Sequence, residues 1–281
     1  IFASESLTYR ASQNIDDAIL SLVNSGMSKE EATIEGMRQF SIEASISKVA
    51  CSEALDYTVD EGVQIYGGMG YSAETHVERA FRDARINRIF EGTNEINRMV
   101  IVGELLKRGF KGELDLLTPA QEVAKELMGI PDFSPPGSDF FEEKKKLIEK
   151  FKKAILMVSG AAIQKFMQTL DEEQELLFNA ANMLIETYAA ESMLLRVEKL
   201  VEKLGEEKAS LYKDMLDVYM YDAAYRINKE GVDAVNSFAE GDEQMGMLMG
   251  MKRYTKVQPV NVRLARRRIA EKMLEENKYC F

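Results

Sequence analysis

The sequence is poor in the residues that build disulfide frameworks and histidine-based metal sites. Its 281 residues include two cysteines (Cys51 and Cys280), one histidine (His76) and no tryptophan. Two cysteines so far apart do not make a disulfide framework, so we expect free thiols in a reducing compartment, the cytoplasm. A single histidine does not build a histidine-based metal site, and we predict no bound metal.

Long apolar runs and an excess of basic charge are also absent. No run approaches the roughly 20 apolar residues that span a bilayer, and the N-terminal stretch lacks the basic and apolar parts of a signal peptide. The formal net charge of −11 argues against nucleic acid as the main partner, because phosphates need neutralisation by Lys and Arg. The first residue is Ile1 rather than Met, so we expect the chain to start inside a longer gene product.

What the sequence does contain is helical periodicity. Apolar residues make up 46% of the chain and recur at three- and four-residue spacing, while the alternation typical of strands is missing. The pattern therefore predicts an all-α fold, and Ser28 with Glu31 predicts a capping box. The expected helices lie at about 1–24, 29–65, 76–88, 94–108, 119–128, 139–170, 171–204, 207–240 and 260–277.

A proline-containing segment separates two helical halves. Residues 111–138 hold four of the five prolines, and we assign them as a linker with one short helix. This gives a first α-domain over 1–110 and an additional helical domain over 139–281. Four helices in each half hint at a duplicated bundle.

Two adjacent glycines, Gly67 and Gly68, interrupt the pattern after a long helix. Glycine permits a positive φ and lets a ligand approach the backbone closely, but a helix stop with a tight turn explains the pair as well. Gln64, just before them, could hydrogen-bond a nucleotide or lie on the surface. Both alternatives stay open from the residues alone.

A second candidate is Glu91, within the stretch IFEGTNEINR. Thr93 is the expected N-cap of the next helix, with Glu95 in its first turn. The N-terminus of a helix presents free N–H groups and the positive end of the dipole, which suits a phosphate. Glu91 precedes that cap by two residues and adjoins Gly92, which leaves room for a ligand. It is either a base or an acid that is solvated or compensates the helix dipole.

Other distinctive stretches have simpler structural interpretations. The arginines between 79 and 88 predict ion pairs between helices, and the basic stretch 263–272 predicts an amphipathic helix paired with the acidic bundle. The Met-rich stretch 245–254 predicts core filling or a packed loop rather than an adaptable binding surface. His76 is expected to be a hydrogen-bonded residue at a helix start rather than a catalyst.

Residues 63–106 resemble the C-terminal α-domain of flavin-dependent acyl-CoA dehydrogenases. They contain a Gln-x-x-Gly-Gly element, an RDARI turn and an EGT element, in the order and at the spacing of that family. With the helices before them, the resemblance covers about residues 1–110. Beyond residue 110 the chain resembles the very-long-chain branch, which carries a second α-bundle, in length and helical character more than in motifs.

The resemblance implies that Glu91 removes the α-proton of a fatty acyl-CoA thioester. The β-hydrogen then leaves as hydride to the flavin of FAD, which gives a trans-2-enoyl-CoA in fatty acid β-oxidation. The N–H of Glu91 is expected to stabilise the thioester carbonyl, and Gly92 to line the substrate path. The FAD-binding residues that the resemblance implies are Thr93, Asn94 and Glu95 for the same subunit, and Gln64, Ile65, Tyr66, Gly67 and Gly68 for the partner subunit.

The same resemblance implies a homodimer and an electron-transfer flavoprotein as the electron acceptor. The family's N-terminal helical domain and central β-domain do not match any part of the chain, so we expect a C-terminal portion that is inactive alone and does not retain FAD. The alternative is a helical assembly or docking module descended from this fold, without activity. Membrane association is not expected, because the charges of segment 113–130 are mostly acidic.

Overall fold

The computed structural model describes residues 1–129 and 139–281, apart from the side chain of Met128. Those residues are 84% helical and include no strand, which confirms the predicted all-α fold. Part of the predicted linker, residues 130–138, lies outside the described residues.

Two compact units make up the chain. The first unit is Ile1 with Ala3–Leu106, and the second unit is Phe2 with Lys107–Phe281. The domain boundaries expected at 110/111 and 138/139 stay predictions.

The first unit is built from five helices and two short 3-10 turns. The turns, Gly67–Tyr71 and Ile86–Arg88, flank the fourth helix. Buried aliphatic side chains such as Leu7, Val49 and Ile101 form its core. The helices are α1 (Phe2–Asn24), α2 (Lys29–Gln39), α3 (Ser41–Tyr66), α4 (His76–Arg85) and α5 (Asn94–Phe110), of which residues 107–110 belong to the second unit.

The prediction of one helix over 29–65 is wrong. Phe40, at φ −106° and ψ 26°, separates α2 from α3. The buried residues of α2 are Ala32 and Gly36, and a Cβ at Gly36 would lie only 2.6 Å from Cγ1 of Ile19. Because α2 packs through these small residues, the larger apolar side chains that the pattern placed inward, such as Ile34, are exposed.

The predicted cap of α2 is confirmed. The Ser28 hydroxyl accepts a hydrogen bond from the N–H of Glu31 at 3.3 Å and donates to its carboxylate at 2.7 Å. A hydroxyl in this position satisfies one of the free N–H groups of the first turn, which fixes where the helix starts.

The second unit contains the three longest helices in the described part of the chain. Side chains such as Phe151, Met183 and Leu216 are fully buried in its core. A 3-10 turn, Met167–Glu172, connects the helix Phe140–Phe166 to the helix Gln174–Leu204. The helices are α6 (Leu117–Met128), α7 (Phe140–Phe166), α8 (Gln174–Leu204), α9 (Ser210–Phe238), α10 (Gly241–Tyr254) and α11 (Val262–Glu276).

Helix α10 was not expected from the sequence. Its methionines alternate with other residues over 245–251, a period of two that hides a helical face. Met247 and Met251 are buried, so the predicted core filling is confirmed for these two, whereas Met245 and Met249 are exposed.

Charged side chains join α11 to α9. Arg266 donates to Asp222 at 2.7 Å, and Arg268 donates to Asp214, also at 2.7 Å. The prediction that this basic stretch forms an amphipathic helix against the acidic bundle is confirmed.

Three absences hold within residues 1–129 and 139–281. No helix there is long and apolar enough to cross a bilayer. No group of three or more His, Cys, Asp or Glu side chains in that part of the chain could hold a metal ion. Both cysteines are free thiols and are half-buried.

Candidate active site

The loop Ile89–Thr93 connects the 3-10 turn after α4 to the start of α5. The N–H of Phe90 donates to the carbonyl of Ile86 at 3.1 Å, which closes the turn. Glu91 then adopts φ 56° and Gly92 φ 78°. A non-glycine residue at positive φ is uncommon and costs of order 1 kcal/mol or more, so a surrounding structure must hold it.

The carboxylate of Glu91 points away from the packed interior. Its side chain is exposed, and it makes no hydrogen bond or ion pair with any residue that the structure describes. The roles of helix cap and dipole-compensating acid are filled by Thr93 and Glu95. Glu91 therefore takes no part in capping α5.

Thr93 is the N-cap of α5, as the sequence predicted. Its hydroxyl accepts a hydrogen bond from the N–H of Ile96 at 3.2 Å. Hydrogen bonds from the backbone N–H of Glu95 and from the hydroxyl of Thr93, together with the charges of Arg98 and Arg88, hold the pKa of Glu95 below its ordinary value. Glu95 therefore stays ionised in the first turn, where the helix dipole favours a negative charge.

Asn94, the first residue of α5, faces the interior. Only 2% of its surface is exposed. Its Oδ1 accepts from Nζ of Lys48 at 2.6 Å, and its Nδ2 donates to Ser52 at 2.9 Å and to Glu53 at 3.1 Å. Arg98 donates to the same Glu53 carboxylate at 2.8 Å. This buried polar network fastens the N-terminus of α5 to α3.

Among the residues that the structure describes, the predicted ion pairs between helices are found for one of the four arginines. Arg88 pairs with Asp56 of α3 at 3.3 Å, which ties the turn Ile86–Arg88 to α3. Arg82 instead bonds to Glu78 within α4, at 2.8 Å from its Nε.

Burial lowers the pKa of Lys48, although the charges of nearby glutamates on α3 and α5 act in the opposite direction.

The second candidate segment, Gln64–Gly68, lies on the surface at the end of α3. Gly67 has φ 60° and donates its N–H to the carbonyl of Gln64, so the helix-stop interpretation is confirmed. Ile65 is 81% exposed. A Cβ at Gly67 or Gly68 would meet no atom within 4 Å. The backbone of this segment is thus open to close approach by another molecule.

His76 begins α4 and is exposed. Its ring packs edge-on against Tyr66, with the ring centroids 5.8 Å apart. The predicted position at a helix start is confirmed, but within the described residues His76 makes this ring contact and not the expected hydrogen bond.

Sequence reasoning missed one residue next to Glu91. The side-chain amide of Asn97 donates to the carbonyl of Gly92 at 2.9 Å and to the carbonyl of Thr93 at 3.0 Å. An asparagine in the first turns of a helix is a known partner of nearby backbone groups, but its direction depends on how α5 packs.

Comparison with known families gives matches over both units. Residues 3–106 match one model described as "Acyl-CoA dehydrogenase, C-terminal domain", and residues 150–253 match another with the same description. The first match contains every candidate residue described above.

Individual relatives extend the likeness along the chain. A "Probable acyl-CoA dehydrogenase" of Bacillus subtilis (strain 168) is 38% identical over 279 residues, which cover 99% of this chain and 47% of that protein. The human "Very long-chain specific acyl-CoA dehydrogenase, mitochondrial" is 31% identical over 261 residues, covering 84% of this chain and 36% of that protein. The chain thus spans less than half the length of these relatives.

A solved structure is similar in fold as well. The crystal structure of an acyl-CoA dehydrogenase complexed with FAD from Bacillus anthracis has a TM-score of 0.92 and 40% sequence identity. The match covers 100% of this chain and 47% of that one.

Proposed function

Because this chain belongs to the acyl-CoA dehydrogenase family, we propose that it supplies the catalytic base of an FAD-dependent enzyme. The proposed reaction oxidises long-chain acyl-CoA to trans-2-enoyl-CoA in fatty acid β-oxidation. The base is Glu91. The likeness to the human very-long-chain enzyme extends over 84% of this chain and therefore into the second unit, which favours a long-chain substrate.

One observation carries the assignment of Glu91. The loop holds this residue at φ 56°, and its carboxylate has no partner among the residues described. The positive φ of this exposed acid requires an explanation, and backbone strain is concentrated at functional sites. Gly92 beside it has no side chain to obstruct a thioester.

The chemistry asked of the chain is a proton transfer. The Cα–H bond of the acyl thioester breaks, Glu91 takes the proton, and the electron pair of that bond forms the new Cα–Cβ double bond. The chemistry that FAD would supply when bound is that of an acceptor for the hydride that leaves Cβ. We assign the N–H of Glu91 as a hydrogen-bond donor to the thioester carbonyl, where negative charge develops.

The residues present fit an FAD molecule in part. The exposed backbone of Gly67 and Gly68 would admit a nucleotide at close range, and the N-terminus of α5 at Thr93 and Glu95 suits a phosphate. The side chain of Asn94 does not fit a direct contact, because it is buried against α3. We assign Asn94 to holding the helix start, so that its neighbours in the chain reach the cofactor.

The exposed end of α3 also supports the proposed partners of the chain. Gln64, Ile65 and Tyr66 are exposed at the end of α3, and we propose that they meet the FAD of a second subunit in a homodimer. An electron-transfer flavoprotein is the proposed acceptor of the electrons. The rival function, a helical docking module, gives no chemical reason for the unpaired acid at Glu91.

Replacing Glu91 by Gln in the full-length gene product tests the proposal. The amide keeps the shape of the side chain and loses the base, so turnover of palmitoyl-CoA with an artificial electron acceptor should fall by at least about 10²- to 10⁴-fold. FAD content should be unchanged. Glu74→Gln, which removes an exposed acid of the same unit, is the matched control and should turn over normally. Near-normal turnover by Glu91→Gln would contradict the assignment.

A further inference from the structure

The loop that carries Glu91 needs an external support. Two successive residues, Glu91 and Gly92, have positive φ values of 56° and 78°. The left-handed conformation is unfavourable for a residue with a Cβ, so Glu91 would relax toward negative φ unless contacts prevent it. The support should act on the carbonyl groups at the end of the loop, because they set the direction of the chain.

Asn97 makes that contact. Its Nδ2 lies 2.9 Å from the carbonyl oxygen of Gly92 and 3.0 Å from that of Thr93, so one amide holds two consecutive carbonyls. Within the described part of the chain, the Gly92 carbonyl accepts no other hydrogen bond. A Cβ at Gly92 would lie 3.2 Å from the same Nδ2. Glycine at this position therefore allows the amide to come close.

The helix that carries Asn97 is itself fixed. Asn94, three residues before it, is buried and bonded to Lys48, Ser52 and Glu53 of α3. Because α5 is fixed to α3, the hydrogen bonds from Asn97 hold the loop at a defined position relative to α3.

We propose that Asn97 is a positioning residue for Glu91: its amide clamps the Gly92 and Thr93 carbonyls and so sets the direction of the catalytic carboxylate. The proposal rests on the proposed function of Glu91 as the base. Asn97 does not itself touch the reacting atoms. A displacement of a catalytic group by about 1 Å can reduce a rate by about 10²-fold, so a clamp of this kind matters for turnover.

Asn97→Ala and Asn97→Asp test the clamp in the full-length holoenzyme. Alanine removes both hydrogen bonds without adding a charge, and aspartate keeps the size but replaces the donor by an acceptor. We expect kcat to fall by about 10- to 100-fold. KM for palmitoyl-CoA should change by less than about threefold, because substrate binding does not depend on the base. FAD content should stay at the wild-type level.

A matched control is available four residues upstream of the loop's acid. The amide of Asn87 also donates to two backbone carbonyls, those of Asp83 at 3.1 Å and Ala84 at 3.2 Å. Asn87→Ala therefore removes the same kind of bond from the end of α4 and not from the Glu91 loop. It should leave kcat within about threefold of wild type.

Hydrogen exchange gives a readout that does not depend on activity. In the 281-residue chain, the amides of residues 89–95 should exchange about tenfold faster in Asn97→Ala, the scale expected when two hydrogen bonds are removed. Asn87→Ala should leave that peptide unchanged.

The outcomes separate the clamp from the proposed function. Faster exchange together with a lower kcat supports the positioning role. Unchanged exchange, or a normal kcat in Asn97→Ala when wild type is active, overturns it. A wild-type holoenzyme with no dehydrogenase activity overturns the proposed function, and the positioning role with it, even if the exchange result shows that Asn97 holds the loop.

Discussion

Glu91 in the first unit and two acids of the second unit, Glu126 and Glu186, have opposite surroundings. In the first unit, Glu91 sits on an exposed loop and has no partner within the described residues. In the second unit, Glu126 and Glu186 are each bound by several donors. An acid that stabilises a fold is satisfied by its neighbours, whereas an acid that takes a proton from a substrate must remain free to reach it.

Glu126 illustrates the structural use of an acid. It accepts from Lys153 at 2.5 Å, from Arg253 at 3.2 Å and from the hydroxyl of Tyr254 at 3.4 Å. Burial and the Glu126 carboxylate raise the pKa of Tyr254 to about 12. The cluster joins α6 to α7 and α10.

Close backbone approach supports the same packing. A Cβ at Gly160 would lie 2.9 Å from the Cβ of Ala120, and one at Gly250 would lie 2.7 Å from Cδ2 of Leu127. The residues of α6 thus fit against glycines on α7 and α10. Helix α6 therefore packs on the bundle of its own unit.

Glu186 is held just as firmly. Its carboxylate accepts from Nε of Arg226 at 2.5 Å and from the hydroxyl of Tyr219 at 3.1 Å. Burial and the charge of Glu186 raise the pKa of Tyr219 well above its usual range. In these two clusters of the second unit, charged groups join helices. We therefore expect substitutions in the second unit to affect its stability more than the rate of the reaction.

The largest expected effect on stability is that of Phe151→Ala. Phe151 is fully buried in α7, and the substitution should lower the free energy of unfolding by about 3–5 kcal/mol, because it removes apolar contacts and leaves a cavity. Urea denaturation would measure it. Phe110→Ala is the control, since Phe110 is 72% exposed, and it should cost less than about 0.5 kcal/mol. Equal losses would show that the second unit lacks a packed core at Phe151.

Gly67→Ala should come next, at about 1–3 kcal/mol. Gly67 combines φ 60° with ψ −147°, a region that only glycine occupies readily. A Cβ there meets no atom, so the loss in urea denaturation would report backbone strain alone. Gly68→Ala, which has the same open space without a positive φ, should leave stability within about 0.5 kcal/mol.

The same pair of variants sharpens the cofactor assignment. In the full-length protein, Gly68→Ala should weaken FAD retention although it does not alter stability, because the added methyl group occupies the space proposed for the nucleotide. Normal FAD affinity would remove Gly68 from the site.

The smallest stability effect is expected for Glu126→Gln, at about 1–2 kcal/mol at pH 7. Burial opposes the charged form of Glu126, but the Lys153 hydrogen bond and the charges of Lys153 and Arg253 lower its pKa below the ordinary value of 4.5. A lowered folded-state pKa gives stability above pH 4.5, which is lost as pH falls through the lowered value. In urea denaturation at several pH values, the free energies of unfolding of wild type and Glu126→Gln should become equal at low pH.

Glu122→Gln is the control for that experiment. Glu122 lies on the same helix and is exposed, so its removal should have almost no effect at any pH. A constant difference between wild type and Glu126→Gln down to the lowest pH would contradict the charge-based account.

Helical periodicity predicted most of the fold, because the packed faces repeat every three to four residues. It failed where the packing used other residues. The break at Phe40 was missed because apolar residues continue through it, and α10 was missed because its methionines alternate. Both failures lie where small or flexible side chains, rather than a wide apolar stripe, make the contact.

The candidate loop could be predicted from the sequence, but the directions of the side chains around it could not. The cap at Thr93 follows from local chemistry and is confirmed. The inward direction of Asn94 and the clamp by Asn97 depend on which face of α5 meets α3. No local pattern encodes that choice, so the sequence alone could not separate the residues that hold the loop from those that face a ligand.

The most direct test of the contrast between the units is a single-turnover measurement. Full-length wild type, Glu91→Gln and Phe151→Ala, each loaded with FAD, are mixed with palmitoyl-CoA without oxygen, and the loss of flavin absorbance is timed at a temperature where all three are folded. The account predicts a rate lowered by about 10²- to 10⁴-fold for Glu91→Gln and a rate near wild type for Phe151→Ala. Equal rates for wild type and Glu91→Gln would contradict it.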